Sequence, residues 1–505
     1  MVTVTYKPFV KWNVLDDDVS ARLLDLSWRR GRDVASQLVG RSMPGILVMT
    51  LDNESGDYSP FNSASPLFGF LKPNRRVRLE VSGGLIAAGH VEWTGFIDSI
   101  HPIPGVDGRM NTVEIIAVGP LGQNDAAKVS LVMKSNVLTG TSVGDVLDEA
   151  GWPAVDRTVD AGQTTMKRFW SNEIFTRTAL RKIEETEGGF IAESKSGKVV
   201  FEDRHHRLKA DHLTSQATFS DAAAPAVGYR SIDQQDPRPF IFNKMMATVK
   251  LPVVGTLAVL WTLAESGASS PFIDAGQSRI WWASFPNPDS AVDAFAVDAW
   301  TTPVATTDFT ANTAADGSGT NRTSSIAIAV SKFSHAMKIT LTNNHGTDRV
   351  AITLLQARGV PLSWSDPVSV SAEDATSKTD YGERDYPHPG EFIPSTDEAR
   401  DWADFTLSIY KDPIAMLRLS IVANKNNATF SEAMNREISD RVTVVAQNNA
   451  GLGINKDFFI EVISHRVVGT DRLHTTEFLL SDAEQFADFW VFDTAKFDQT
   501  TRFAY

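Results

Sequence analysis

The chain has 505 residues, of which 42% are hydrophobic and 22% charged; its formal net charge is −14 and it contains no cysteine. That composition belongs to a globular protein, and a prior of about 150 residues per unit divides the length into three or four units. Disulfide frameworks, thiolate metal sites and thiol nucleophiles are excluded, and the acidic balance argues against a surface built to neutralise duplex phosphates. Residues 1–16 alternate like a strand and carry Lys7, Pro8 and Lys11 where a secretory signal would be apolar. Apolar runs such as 248–263 are interrupted short of the ~20 residues a spanning helix needs. No membrane span is expected, and synthesis in a cytoplasm is.

Residues 1–128 read as strands joined by turns, and as a first β-barrel. Val77, Leu79 and Val81 alternate with Arg76, Arg78 and Glu80, the period-2 pattern of a strand with one buried face. Asp52-Asn53, Ser55-Gly56, Ser59-Pro60 and Lys72-Pro73-Asn74 punctuate the segment as turns. A small α+β domain is predicted over 129–228. It has a short helix with Ser142 as N-cap, a longer helix from about Asn172 to Glu187 stopped by Gly188-Gly189, and strands near 190–194 and 198–203. Extended chain resumes near Tyr229, and 245–251 reads as a strand entering a second barrel. Residues 254–362 interrupt it as an inserted β-sandwich, with alternation at Ile326, Ile328 and Val330 and again at Met337, Ile339 and Leu341. A helix follows over about 395–412, with Ser395 as N-cap and Glu398 in capping-box position. Strands at 415–423, 440–446, 458–467 and 474–480 complete a second barrel region made of 229–253 and 363–485. The fold class expected is mainly β with α+β elements, and 486–505 is an aromatic docking segment.

The order of short motifs along the chain adds a resemblance. Leu51-Asp52-Asn53, Ser59-Pro60, Asn62, the basic run from Pro73 to Arg78, and Trp93-Thr94-Gly95 follow one another. The segment Ser371 to Tyr386 and the entry Ile438 to Val442 come later. This series resembles the central tail-hub (baseplate hub or tail-tip) proteins of long-tailed bacteriophages and related phage-derived particles. The resemblance implies two tail-tube-like β-barrels separated by a small α+β domain. It also implies a homotrimeric adaptor that presents six barrels from three chains and joins a six-fold tail tube to a three-fold tip. The partners it implies are a distal tail or tail-tube protein ring, the tape-measure protein, further tip or fibre proteins, and DNA only in transit through the lumen. The implied location is the virion, at the distal end of the tail.

No catalytic, cofactor or metal residues are assigned. His205-His206 and His212, near Glu202, Asp203 and Asp211, are metal-ligand types, but their spacing matches no zinc signature, and the segment reads as a solvated turn. Glu184 and Glu187 read as surface helix carboxylates without shifted pKa values. Asp52, Glu54 and Asp57 lack the spacing of a calcium loop. Trp281, Trp282 and Trp300 are candidates for glycan or partner contact, with core packing of the sandwich as the competing reading. Trp490, Phe492, Phe503 and Tyr505 are candidates for subunit docking. Two other functions are carried forward: a glycan-binding adhesin acting through the sandwich, and a cell-wall hydrolase.

Overall fold

The computed structural model describes residues 1–33, 41–105, 110–123, 127–222, 227–235, 241–285, 295–388, 390–413, 416–448, 451–469 and 472–484. Strands account for 47% of the structure and helices for 18%, so the chain is mainly β as its alternation predicts. Among the described residues, fourteen strands join one sheet that draws on both ends of the chain. Its spine is the strand Ile454–Val468. One edge of this strand pairs with Leu473–Asp482. The other edge is shared: residues 454–459 pair with Arg441–Ala446, while 462–467 pair with Leu23–Asp33. A sheet that forks in this way needs one strand long enough to serve two neighbours end to end. The run INKDFFIEVISHRVV, rich in β-branched and aromatic residues, supplies it.

From Leu23–Asp33 the sheet continues through Ile46–Asp52, Thr112–Val118, Val91–Ile103, Arg76–Gly83 and Val4–Val10, antiparallel at each step. From Leu473–Asp482 it continues through Met416–Val422 to Ser231–Gln235. The alternation read at 76–81 is realised, with Val77, Leu79 and Val81 fully buried. One apolar core runs beneath both sections and includes Tyr6, Trp28, Leu47 and Trp93 from the first and Phe219, Phe430, Phe458 and Phe478 from the second. Among the described residues no closed barrel forms; most of the strands expected in two barrels lie in one branched sheet.

Other elements differ from their expected setting. The strand Lys244–Val249 does not join the large sheet; it pairs with Val368–Glu373 and Asp385–Pro387 in a separate sheet. Helix Thr396–Tyr410, capped by Ser395 as its sequence predicts, covers that sheet through Ala399, Trp402 and Ala403 against Met245, Ala247 and Val249. A three-stranded sheet with one apolar face buries it by taking an amphipathic helix as its second layer. In the middle unit the second helix is Thr176–Glu187, starting later than expected because 165–175 is a strand paired with 128–138. The first helix begins at Thr139, so Ser142 lies inside it rather than at its cap. Gly188, at φ 70°, ends the second helix where a left-handed residue is needed.

Residues 252–364 build two sheets around one core. Val350–Trp364 pairs in turn with five short strands, and Ser278–Ser284, Ala336–Asn343 and Ile326–Lys332 form the opposing sheet. Leu260, Phe309, Met337, Ile339, Leu341 and Ile352 fill the space between them. An aromatic seam holds this sandwich to the middle unit: Phe295 stacks on Trp364 at 4.3 Å, and both lie against Trp170. An ion pair between Arg168 and Asp298 closes one side.

At the fork of the large sheet, Gly31 has φ 140°, and a Cβ there would sit 2.5 Å from the Glu461 carbonyl oxygen and 2.7 Å from Val462 Cα. Gly31→Ala is expected to cost about 3 kcal/mol by forcing the two backbones apart. Urea unfolding followed by circular dichroism checks this, and an unchanged midpoint would count against the close approach.

Candidate assembly surfaces and the junction behind them

Surfaces that meet other molecules must be held rigidly, and the holding is done by buried charge. Glu461, on the long strand and fully buried, receives two bonds from Arg207 at 2.8 and 2.9 Å, one from Arg32 and one from Ser481 Oγ. Arg32 belongs to the N-terminal section, Arg207 to the middle unit and Glu461 to the C-terminal section. The Phe190 ring lies 3.4 Å from the Arg32 guanidinium carbon and 4.9 Å from that of Arg207. Burial pushes the Glu461 carboxyl up, and the two guanidinium groups more than reverse this, holding it below the ordinary carboxylate range. A second knot lies nearby. Glu193 accepts from the backbone N–H groups of Gly45 and Leu121 at 2.6 Å each, while Arg30 donates to the Glu193 carbonyl and to Glu437. A Cβ at Gly119 would lie 1.9 Å from that carboxylate, so this position requires glycine.

Between the same sections runs a buried histidine chain. His474 Nδ1 lies 3.0 Å from the Tyr6 hydroxyl, its Nε2 lies 3.1 Å from His465 Nδ1, and Trp28 stacks on His465 at 4.4 Å. Burial lowers His474 to about 3, and burial with the neighbouring His474 lowers His465 well below its ordinary value. Both rings are therefore neutral in the fold at neutral pH.

The chemical candidates resolve into structure. Glu184 and Glu187 are not surface carboxylates: they are 2% and 0% exposed. Spaced three apart on the buried face of their helix, they accept from backbone N–H groups, Glu184 from Ile191 and Glu187 from Gln163 and Thr164. Burial raises Glu184 to about 8, opposed by the bond from Ile191. The expected solvated turn at 205–212 is instead half-buried: His206 pairs with Asp160 at 2.7 Å and lies 4.8 Å from the His212 ring. Among the described residues no group of three or more histidine and acidic side chains is placed to hold a metal. Asp52 and Asp57 face Arg22, with Asp52 at 3.1 Å.

Of the three tryptophans singled out, two are core residues. Trp281 is 8% exposed and Trp300 6%, with Trp300 Nε1 donating to the Phe333 carbonyl. Trp282 is 55% exposed and stacks on Phe333 at 5.9 Å. The alternation along Ser278–Ser284 separates them, since successive side chains face opposite sides of a strand. Trp490, Phe492, Phe503 and Tyr505 lie outside the described residues.

A surface the sequence reading missed is the loop between Asp52 and Arg76. Its backbone is a ladder of turns, with N–H groups of residues 56, 59, 62, 65 and 68 each donating to the carbonyl three residues earlier. The Asn53 side chain ties the start of the ladder to Ser59 and to the Tyr58 N–H. The ladder displays Phe61 at 99% exposure, with Phe68 and Phe70 at 50% and 40%. The available signal was three phenylalanines in a segment with no strand or helix period to bury them. Beside the foot of this loop is a groove of about 410 Å³ lined by Asn53, Glu54, Ser59, Pro102, Ile103 and Asn111.

Acid is expected to loosen the junction in two stages. The unfolded chain protonates both histidines below about pH 6.5 and the folded chain does not, so their contribution falls with pH, for His474 toward about 3, at up to roughly 1.4 kcal/mol per pH unit per ring, while Glu184, raised to about 8, opposes part of this slope above about pH 4.5. Glu461, lowered in the fold, stabilises above its unfolded pKa and loses that contribution below about pH 4.5. Urea midpoints across pH 4 to 8 check the first stage, and His474→Asn should flatten the slope. At pH 7, Glu461→Gln should cost about 3–5 kcal/mol by leaving two buried guanidinium groups uncompensated.

No family model and no curated protein matches the chain. Among solved structures it is similar to the 43 kDa tail protein of prophage MuSo2 from Shewanella oneidensis, at 10% identity over 96% of this chain and 98% of that one, with a TM-score of 0.46. It is similar to a tail protein from Neisseria meningitidis MC58 at 10% identity over 95% and 97% of the two chains, with a TM-score of 0.49. The prophage tail protein gp18 from Listeria monocytogenes EGD-e is similar at 9% identity over 94% of each chain, with a TM-score of 0.41.

Proposed function

We propose that the chain is a structural hub of a phage tail tip or a phage-derived particle, a homotrimeric adaptor between the six-fold tube and the three-fold tip. The observation that carries this reading is the branched sheet. Two strand-rich sections of one chain, separated by more than 100 residues, are fixed to each other by Ile454–Val468 and by the Glu461 ion cluster. Three such chains would offer six sections to a ring of six tube subunits. In a ring, neighbouring copies would cover sheet edges, which removes an aggregation hazard. The motif series from Leu51 to Gly95 supports the same reading. In this role the chain lines a channel through which tape-measure protein and DNA pass, at the distal end of the tail, after assembly in the host cytoplasm. The acidic net charge repels DNA in transit rather than retaining it. Its work is assembly, and no chemical step is assigned to it.

The purified full chain is expected to sediment at three times the chain mass and to form particles with a central hole in negative stain. A chain that stays monomeric at every concentration would overturn this function.

A second reading rests on Trp282. It stands on the outer sheet face with Ile280, Thr340, Lys338, Ala329 and Ser331, stacked on Phe333 and still 55% exposed. A flat aromatic ring bordered by hydroxyls and a lysine suits a sugar ring. If this is a glycan site, Trp282→Ala abolishes glycan-array binding by the full chain without changing its melting temperature. No binding by the unaltered chain would sink this reading and leave the hub function untouched.

A further inference from the structure

We propose that the Asp52 to Arg76 loop is the self-docking element of the chain, with Phe61 of one copy seated in the groove beside Ile103 of the next. The inference rests on the trimeric reading and names the contact that would close it. Phe61 is the most exposed large apolar side chain of the described residues, at 99%. Leaving a phenyl ring wholly in water costs free energy that burial recovers, and the turn ladder holds it there instead of letting it fold back. Local N–H to carbonyl bonds at every third residue, with Ser65 Oγ bonded to the Asp57 carbonyl, keep the loop in one shape before any partner arrives. A contact made by a preformed loop has little ordering entropy to overcome.

The groove has the matching character. Pro102, Ile103 and Pro104 make an apolar wall, Ile103 is itself 49% exposed, and the volume of about 410 Å³ accommodates an aromatic ring. Charge sets the orientation. Lys72 and Arg76 are exposed in the loop that carries Phe61, whereas exposed Glu54 stands on the groove wall; Asp52 and Asp57 are already engaged by Arg22. Among the described residues Lys72, Arg76 and Glu54 make no ion pair, so each keeps its charge for a partner. A second copy of this chain brings both halves: a phenyl knob on a loop with two exposed cations, and an apolar groove with one exposed carboxylate. A knob and a groove at different places on the same surface make a head-to-tail contact, and such a contact closes into a ring when its rotation allows.

The absence of cysteine makes the test direct. Full-length Phe61→Cys protein is mixed with full-length Ile103→Cys protein under mild oxidation, and disulfide-linked dimers are read on non-reducing gels. Cross-linking in the mixture, and not in either protein alone, is expected. The chain carrying both substitutions should give linked dimers and trimers. Phe61→Asp should weaken self-association roughly tenfold or more by sedimentation, with an unchanged circular dichroism spectrum. Glu54→Lys should weaken it, and Glu54→Lys combined with Lys72→Glu should restore it. Trimers with no cross-link and no effect of Phe61→Asp overturn the docking contact and leave the trimer standing. Linked dimers without trimers keep the contact and overturn the three-fold reading. A monomer under all conditions overturns both.

Discussion

Glu461 is buried where three parts of the chain meet, and the remaining architecture is arranged around its charge. A carboxylate taken out of water with nothing opposite it would take up a proton or unfold its surroundings. Here it is met by Arg207 from the middle unit and Arg32 from the N-terminal section, and Phe190 fills the gap between the two cations. Ion clusters of this kind add little to net stability compared with an apolar core, but removing one member leaves the others buried without a counter-charge. The middle unit is thereby joined to the sheet by a contact that needs all of its members. The Glu193 knot applies the same logic a short distance away, with backbone N–H groups in place of arginine.

The sandwich is attached by a different device. The seam of Phe295, Trp364 and Trp170 is apolar and stacked, with the Arg168 and Asp298 pair at its side. It therefore follows the middle unit as one body. Trp282, on the exposed face of the other sheet, is carried with it, so whatever meets it meets a platform whose position relative to the middle unit is set.

Local pattern made much of the fold legible. Alternation located the strands around 76–81, 326–330 and 337–341, and Ser395 with Glu398 located a helix start correctly because capping is decided within one turn. What stayed hidden was pairing. Nothing in 244–249 distinguishes a strand of the large sheet from one that takes its own partners and a helix, since both bury the same alternate residues. Glu184 and Glu187 were misread for a related reason: burial of a carboxylate depends on N–H donors brought in by distant chain, and a helix sequence does not display them. The tryptophan pair at 281 and 282 shows the limit in miniature, because composition marks both rings as one cluster while the strand sends them to opposite faces.

The pairing of Leu26 with Val467 has a consequence in time. At a synthesis rate of 5–20 residues per second, roughly 20–90 s separate the emergence of these two residues from the ribosome. Through that interval the Leu23–Asp33 strand lacks the neighbour that completes its edge, and Arg32 lacks Glu461. Chains stopped before Ile454 cannot assemble the junction, so the fork of the sheet waits for the Ile454–Val468 strand to arrive. The translating chain therefore carries a built-in delay before its junction can close.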